Sequence, residues 1–102
     1  MERRSVFLSP EAERDLVALY DYIAEEASPR IAASYLDRVE DYVRGFEFTA
    51  ERGTQRDDVR PGLRTVGFER RITIAFTVTD DAVTILRLFS GGQDWRIALL
   101  DQ

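Results

Sequence analysis

Apolar residues recur every three or four positions over the first half of the chain, the period of an amphipathic helix. One such stripe follows Ser9-Pro10-Glu11, and a second follows Ser28-Pro29. Serine is a favoured N-cap and proline a favoured first helical residue, so each stripe begins at a helix-start signal. Almost no loop separates the two helices, which predicts an antiparallel helical hairpin. The stripes consist of Ala12, Leu16, Leu19, Tyr20, Ile23, Ala24 and Ala27, and of Ala32, Tyr35, Leu36, Val39, Tyr42, Val43 and Phe46.

The second half of the chain alternates with a period of two, which is typical of β-strands. We predict three strands that are joined into a meander by short turns. The strands are residues 63–68, 71–78 and 82–89, and the turns are Glu69-Arg70 and Asp80-Asp81.

Two further segments complete the sequence-based prediction. Residues 4–8 are rich in strand formers and predict a short first strand, although its partner strand is not evident. Residues 51–62 are polar and contain Gly53 and Pro61-Gly62, so they are predicted to be a loop.

The order strand, helix, helix and three strands predicts an α+β fold in a single domain over residues 1–102. We expect the helical hairpin to cover one face of a small, mostly antiparallel sheet and the other face to be open or covered by a partner. The last strand is apolar on both sides and is therefore predicted to be central. Strict alternation puts Leu86 and Leu88 on one face and Val83, Ile85, Arg87 and Phe89 on the other.

Composition excludes several functional classes. The chain has no histidine and no cysteine, and all fourteen of its cationic residues are arginines, so it lacks disulfides, thiolate metal sites and the most common general base. No apolar run approaches ~20 residues, so no membrane span is expected, and the missing cysteines fit the cytoplasm. The formal net charge of -5 argues against a surface that grips nucleic acid as a whole. We expect no cofactor and no metal.

Two strand arginines are the first candidate binding residues. Arg64 and Arg87 would present fixed guanidiniums on one sheet face, an arrangement that suits an acidic partner. The alternative is internal pairing with a carboxylate such as Asp57, Asp58 or Asp94, which a bound partner could displace.

The C-terminal tail supplies a second candidate site. Gly91-Gly92 frees the backbone ahead of Gln93, Asp94, Trp95 and Arg96. Tryptophan and arginine are enriched at binding hot spots, so these four residues are predicted to contact a target. Alternatively, Trp95 is a lid over the core.

Taken together, these segments resemble the RelE/ParE superfamily of toxins from bacterial type II toxin–antitoxin modules, and its ParE branch in particular. Each fragment is short, but their order and distances match the family over nearly the whole chain. The matching residues are Leu8 to Ala12, Asp15-Leu16, Ile23-Ala24, Ala32 to Tyr35, Gly53, Arg56 to Asp58, Arg60 to Arg64, Ile74 to Val78, Ile85 to Arg87 and Gly91 to Trp95. Two departures are a missing proline before Gly53 and Ser90 at a position that is usually histidine or tyrosine.

The resemblance implies a compact toxin that is neutralised by a ribbon-helix-helix, ParD-like antitoxin whose disordered tail folds over it. It implies no direct contact with operator DNA, which the toxin would reach only through the antitoxin. We expect the antitoxin to bind Arg64, Arg87, Arg60 and Arg71.

Three functions remain open at this point. The ParE branch is associated with inhibition of DNA gyrase, which by binding alone would need no catalytic residue. The RelE branch is associated with ribosome-dependent cleavage of mRNA, but the four tyrosines here all lie in the predicted helices, which leaves a Glu or Asp residue such as Glu69 or Asp94 as the base. The third possibility is a non-toxic relative that binds its antitoxin as a co-repressor.

Overall fold

Helices and strands follow one another in the predicted order in the computed structural model, which describes residues 3–90. The elements in this range are β1 (Ser5–Leu8), α1 (Pro10–Glu26), α2 (Pro29–Arg44), a 3-10 turn (Gly45–Glu47), β2 (Thr54–Gln55), β3 (Leu63–Phe68), β4 (Ile72–Val78) and β5 (Ala82–Ser90). The α+β class is therefore confirmed. Neither of the two helices is long and apolar enough to cross a membrane.

Both helices begin at the residues that the sequence indicates. The Ser9 hydroxyl accepts a hydrogen bond from the Ala12 N–H at 3.0 Å, and the Ser28 hydroxyl accepts one from the Ile31 N–H at 3.1 Å. Each serine thus satisfies one of the free amides at a helix N-terminus, and the proline after it begins the helix. These local signals explain why the helical hairpin was predictable.

The strands form one sheet in the order β1-β5-β4-β3-β2. The meander pairs antiparallel, whereas β1 pairs parallel with β5, with Ser5 opposite Ala82 and Leu8 opposite Ile85. Strand β5 therefore has a neighbour on each side, which confirms its predicted interior position. The parallel partner of β1 lies far away in sequence, which is why the local pattern did not indicate it.

The predicted loop 51–62 contains one strand that the sequence did not reveal. Strand β2 has only two residues and pairs antiparallel with β3, Thr54 opposite Thr65. A two-residue strand is too short to show alternation. Its approach to β3 depends on Gly53, whose φ is +76° and where a Cβ atom would lie 2.3 Å from the Thr65 carbonyl oxygen.

A β-bulge corrects the predicted faces of β5. Ala75 lies opposite Arg87 and Phe76 lies opposite Ile85, so Leu86 is an extra residue without a partner. Consequently Val83, Ile85 and Leu88 contact the helices, whereas Leu86, Arg87 and Phe89 lie on the other side. The prediction that Leu86 and Leu88 share a face, opposite Ile85 and Arg87, is wrong because alternation does not register an inserted residue.

The main core lies between the helical hairpin and the sheet. Its fully buried side chains include Phe46 and Phe76, whose rings are 4.7 Å apart, together with Ile74, Val39 and Ile85. A smaller cluster of Leu63, Ala75 and Phe89 is buried on the opposite face, with Val59 and Leu86 against it. This face, which was expected to be open or covered by a partner, is therefore buried within the chain itself at these residues.

Candidate functional site

Arg87, a predicted binding residue, is held by a carboxylate of the helical hairpin. Its Nε and Nη2 atoms donate to the two carboxylate oxygens of Asp15 at 2.8 and 3.2 Å. About four-fifths of each side chain is buried, with exposed fractions of 20% for Arg87 and 17% for Asp15. The hydrogen bonds to Asp15 raise the pKa of Arg87 above its ordinary value. Arg87 thus pairs internally, as the alternative prediction had it, but with Asp15 rather than with Asp57 or Asp58.

Asp15 reaches Arg87 because, beyond the end of β1, the N-terminal turns of α1 lie along the same edge of β5. The Ser9 amide donates to the Ile85 carbonyl at 2.9 Å, and its hydroxyl donates to the Leu86 carbonyl at 2.7 Å. Six residues after Ser9, the Asp15 carboxylate accepts the Leu88 amide at 2.9 Å. The N-terminal turns of α1 therefore bond the edge of β5 beside the bulge, where a neighbouring strand would otherwise lie. The ion pair between Asp15 and Arg87 adds a side-chain contact to this attachment.

Arg64 is held differently from Arg87 and lies on the opposite sheet face. Its Nε donates to the Arg52 carbonyl at 3.0 Å, and it forms no ion pair within residues 3–90. Its ladder partner Phe76 belongs to the helix-side core, whereas the partner of Arg87, Ala75, belongs to the cluster on the other face. The prediction that both guanidiniums share one face is therefore wrong.

Arg60 and Arg71 are exposed and form no ion pair with any described residue. Arg60 precedes β3, while Arg71 follows the Glu69-Arg70 turn at the other end of that strand. The Arg71 guanidinium lies 5.4 Å from the centre of the Tyr35 ring. The four predicted arginines thus form no single cluster; any partner that contacts both Arg60 and Arg71 must extend along β3.

An apolar groove of about 520 Å³ lies beside Arg71, between the helical hairpin and the β3–β4 turn. Tyr22 and Ile31 line it with 61% and 52% of their surface exposed. The other lining residues are Leu19, Ile23, Glu26, Ala27, Arg70, Arg71 and Ser90. The sequence analysis did not predict this site. The available signal was that Tyr22 and Ile31 are apolar but lie outside the two apolar stripes of the helices.

Glu69, one of two candidate bases, is bound by an arginine. Arg38 donates to both Glu69 carboxylate oxygens at 2.9 and 3.1 Å, which lowers the pKa of Glu69 below its usual range. A carboxylate that is held in its charged form is a poor proton acceptor. The second candidate, Asp94, lies outside the described residues.

Tyr35 lies next to this pair and is also unsuited to proton transfer. Burial raises the pKa of Tyr35, and its hydroxyl is buried without a hydrogen-bond partner among the described residues. Its ring packs 6.0 Å from Phe68, which fixes it as a core residue, as predicted.

The predicted target-binding residues Gln93, Asp94, Trp95 and Arg96 lie outside residues 3–90. Their role therefore stays a prediction. Within the described range, no group of three acidic, histidine or cysteine side chains could hold a metal ion.

Comparison with known proteins agrees with this fold. Residues 6–95 match the family described as the ParE toxin of the type II toxin–antitoxin system parDE. A solved structure described as the chromosomal ParDE TA system from P. aeruginosa is 27% identical and superposes with a TM-score of 0.75. The match covers 86% of this chain and 96% of that one. No curated protein matches the sequence. Because the family match spans most of the chain, the protein belongs to the ParE toxin family of type II toxin–antitoxin systems.

Proposed function

We propose that this toxin is neutralised by a ParD-like, ribbon-helix-helix antitoxin and that it acts by binding and inhibiting DNA gyrase. The observation that carries the antitoxin part is the apolar groove with arginines at its rim. Exposed Tyr22 and Ile31 offer apolar area, and Arg70 and Arg71 offer exposed cations that form no ion pair within residues 3–90.

An acidic, amphipathic antitoxin segment fits this groove chemically. Its apolar side chains would cover Tyr22 and Ile31, while its carboxylates would pair with the planar guanidiniums of Arg70 and Arg71. Glu26 also lines the groove and would repel carboxylates placed too close to α1, so it would set the orientation of the segment.

The antitoxin interface extends beyond the groove in this proposal. Arg60 and Arg64, at the other end of β3, would take further carboxylates, which fits a wide interface of ~2,000 Å² or more from a segment that folds on binding. Arg87 would contribute only by exchanging Asp15 for a carboxylate of the partner. Operator DNA would be contacted through the antitoxin.

Inhibition by binding is favoured over RNA cleavage because the chain offers little acid–base chemistry. It has no histidine or lysine, the Glu69 carboxylate is held by Arg38, and the Tyr35 hydroxyl is buried. General acid–base help is typically worth about 10²–10⁴ in rate, so a nuclease without it would be slow. The ParDE assignment of the structural relative supports the gyrase-directed branch.

The gyrase contact is assigned to the C-terminal residues Gln93, Asp94, Trp95 and Arg96. The helices and the five-stranded sheet lie before Gly91, so a chain truncated after Gly92 should keep most of the core. We expect it to bind antitoxin and to lose gyrase inhibition. If Trp95 seals the core instead, the truncated protein would melt well below the full-length protein.

The test is a DNA supercoiling assay of gyrase with the purified full-length protein, run beside a translating-ribosome assay for mRNA cleavage. The proposal predicts inhibition of supercoiling, relief on addition of antitoxin and intact mRNA. Codon-biased cleavage without gyrase inhibition would establish the nuclease alternative. Antitoxin binding with neither activity would establish the co-repressor.

A further inference from the structure

One edge of the sheet is formed by β1, and its outward backbone groups are unpaired within residues 3–90. Ser5 and Ser9 donate their amides to Asp81 and Ile85 of the β5 side, both at 2.9 Å. Because alternate residues of a strand point to the same side, the N–H and C=O groups of Val6 and Leu8 point away from the sheet. Two residues of this edge are therefore available to another strand.

The side chains of β1 make this edge more apolar than an exposed edge usually is. Phe7 is 56% exposed on the face away from the helices. Val6 and Leu8 point to the helix side, where they line a hollow of about 260 Å³ with Leu16 and Val43. Natural edge strands are commonly protected by lysine, proline or an inward charge, and none of these lies in Ser5–Leu8.

We propose that this edge pairs with the same edge of a second copy of the chain, antiparallel and about a two-fold axis at Phe7. Val6 then lies opposite Leu8 of the partner subunit as a hydrogen-bonded pair, and the two-fold axis generates the same pair between Leu8 and Val6 of the partner subunit. Phe7 lies opposite Phe7 of the partner subunit as a non-hydrogen-bonded pair, in which side chains are closest. The same patch serves on both subunits, as a two-fold interface requires.

The charges that flank β1 favour the antiparallel arrangement. Arg3 and Arg4 precede the strand, and the exposed Glu11 and Glu13 begin α1 after it. Antiparallel pairing brings the basic end of one copy towards the acidic end of the other, whereas parallel pairing would bring like charges together. Arg3 forms an ion pair with Glu47 and is largely exposed, so it remains accessible to a second carboxylate.

The geometry also limits the strength of this dimer. The Glu47 carbonyl already accepts the Arg4 amide at 2.9 Å, so pairing stops before Arg4, and α1 leaves the strand after Ser9. The interface therefore comprises five residues per copy, Ser5 to Ser9, and falls below the standard ~1,200–2,000 Å² of stable complexes. A weak, concentration-dependent dimer with one continuous sheet is the expected assembly.

Single-cysteine cross-linking tests the dimer and its register, because the chain has no cysteine of its own. In Phe7→Cys the two thiols would face each other across the axis, with Cα atoms ~4.5 Å apart, a separation that a disulfide spans. The control Ser5→Cys lies on the same strand and face, but its register partner is Ser9 of the partner subunit. Its two thiols would be separated by roughly 13 Å, about four residues of strand, and could not join.

We expect Phe7→Cys, at equilibrium in a glutathione buffer, to form a disulfide dimer at least tenfold more completely than Ser5→Cys. Sedimentation of the cysteine-free protein should show a mass that rises with concentration, and Phe7→Glu should stay monomeric. Equal cross-linking of the two cysteine variants, or a monomer at every concentration, would overturn the proposal. If the protein is monomeric and antitoxin protects the Phe7→Cys thiol from alkylation, the edge would instead be assigned to antitoxin binding.

Discussion

Arg87 of β5 and Asp15 of α1 are joined by two hydrogen bonds of 2.8 and 3.2 Å across 72 positions of sequence. The same carboxylate accepts the Leu88 amide, so one aspartate holds both the side chain and the backbone of β5. This contact attaches α1 to the sheet where β1 ends. An arginine that the sequence assigns to partner binding therefore has a structural role.

Removing either partner should destabilise the fold strongly. Asp15→Ala leaves a mostly buried guanidinium and the Leu88 amide without their acceptor, and Arg87→Ala leaves a mostly buried carboxylate. We expect each variant to lose ~3 kcal/mol of unfolding free energy in urea denaturation, and the double variant to lose less than the sum of the two.

Arg44→Ala is the matched control for this cycle. Arg44 pairs with Asp41 on exposed α2 surface, with more than two-thirds of each side chain exposed, and should cost less than ~0.5 kcal/mol. A loss for Arg87→Ala as small as that for Arg44→Ala would show that Asp15 does not anchor β5.

Sequence reasoning succeeded where the determining signal is local. Ser9 and Ser28 each bond an amide three residues ahead, and the caps together with the helical stripes were enough to locate both helices. The bulge at Leu86 and the parallel pairing of β1 depend on residues far apart in the chain, so no local pattern encodes them.

The candidate site was less predictable than the fold, for a related reason. Their positive charge made Arg60, Arg64, Arg71 and Arg87 candidates. Only the tertiary contacts show that Arg87 forms an ion pair with Asp15 while Arg60 and Arg71 stay exposed. The groove with Tyr22 and Ile31 forms only when the helical hairpin meets the β3–β4 turn.

Tyr35→Phe should be neutral or stabilising. The variant keeps the ring against Phe68 and removes a buried hydroxyl that has no hydrogen-bond partner within residues 3–90. We expect a gain of up to about 1 kcal/mol in unfolding free energy at pH 7. A loss of more than that would mean that the hydroxyl has a partner, such as an ordered water.

Alkaline pH should enlarge the difference between the Tyr35→Phe variant and the parent protein. Burial raises the pKa of Tyr35 above 10.0, so the parent is stabilised below that pH and loses this stabilisation as pH rises through the folded-state value. Thermal melting from pH 8 upward should therefore diverge for the two proteins.

Acid pH should weaken the contact between α2 and the β3–β4 turn. Arg38 lowers the pKa of Glu69 below 4.5, so the pair stabilises the fold above that pH and is lost as pH falls through the folded-state value. In melting curves, Glu69→Gln should reduce the steepness of the decline below pH 4.5. An identical decline in both proteins would show that this pair does not contribute.

Arg71→Ala should weaken antitoxin binding without unfolding the toxin. Arg71 is exposed at the rim of the groove and forms no ion pair in the described chain, so its loss should raise the Kd about tenfold, or ~1.4 kcal/mol. Calorimetric titration measures this, with Arg44→Ala as the control of equal charge change. Equal affinities for the two variants would place the antitoxin elsewhere.

Inhibition of DNA supercoiling by gyrase is the measurement that bears most directly on the proposed activity. Purified full-length protein should block supercoiling in a dose-dependent manner, stoichiometric antitoxin should restore it, and the folded truncation after Gly92 should have no effect. Unimpaired supercoiling at toxin concentrations in large excess over gyrase, with the protein shown to be folded and to bind antitoxin, would contradict the account.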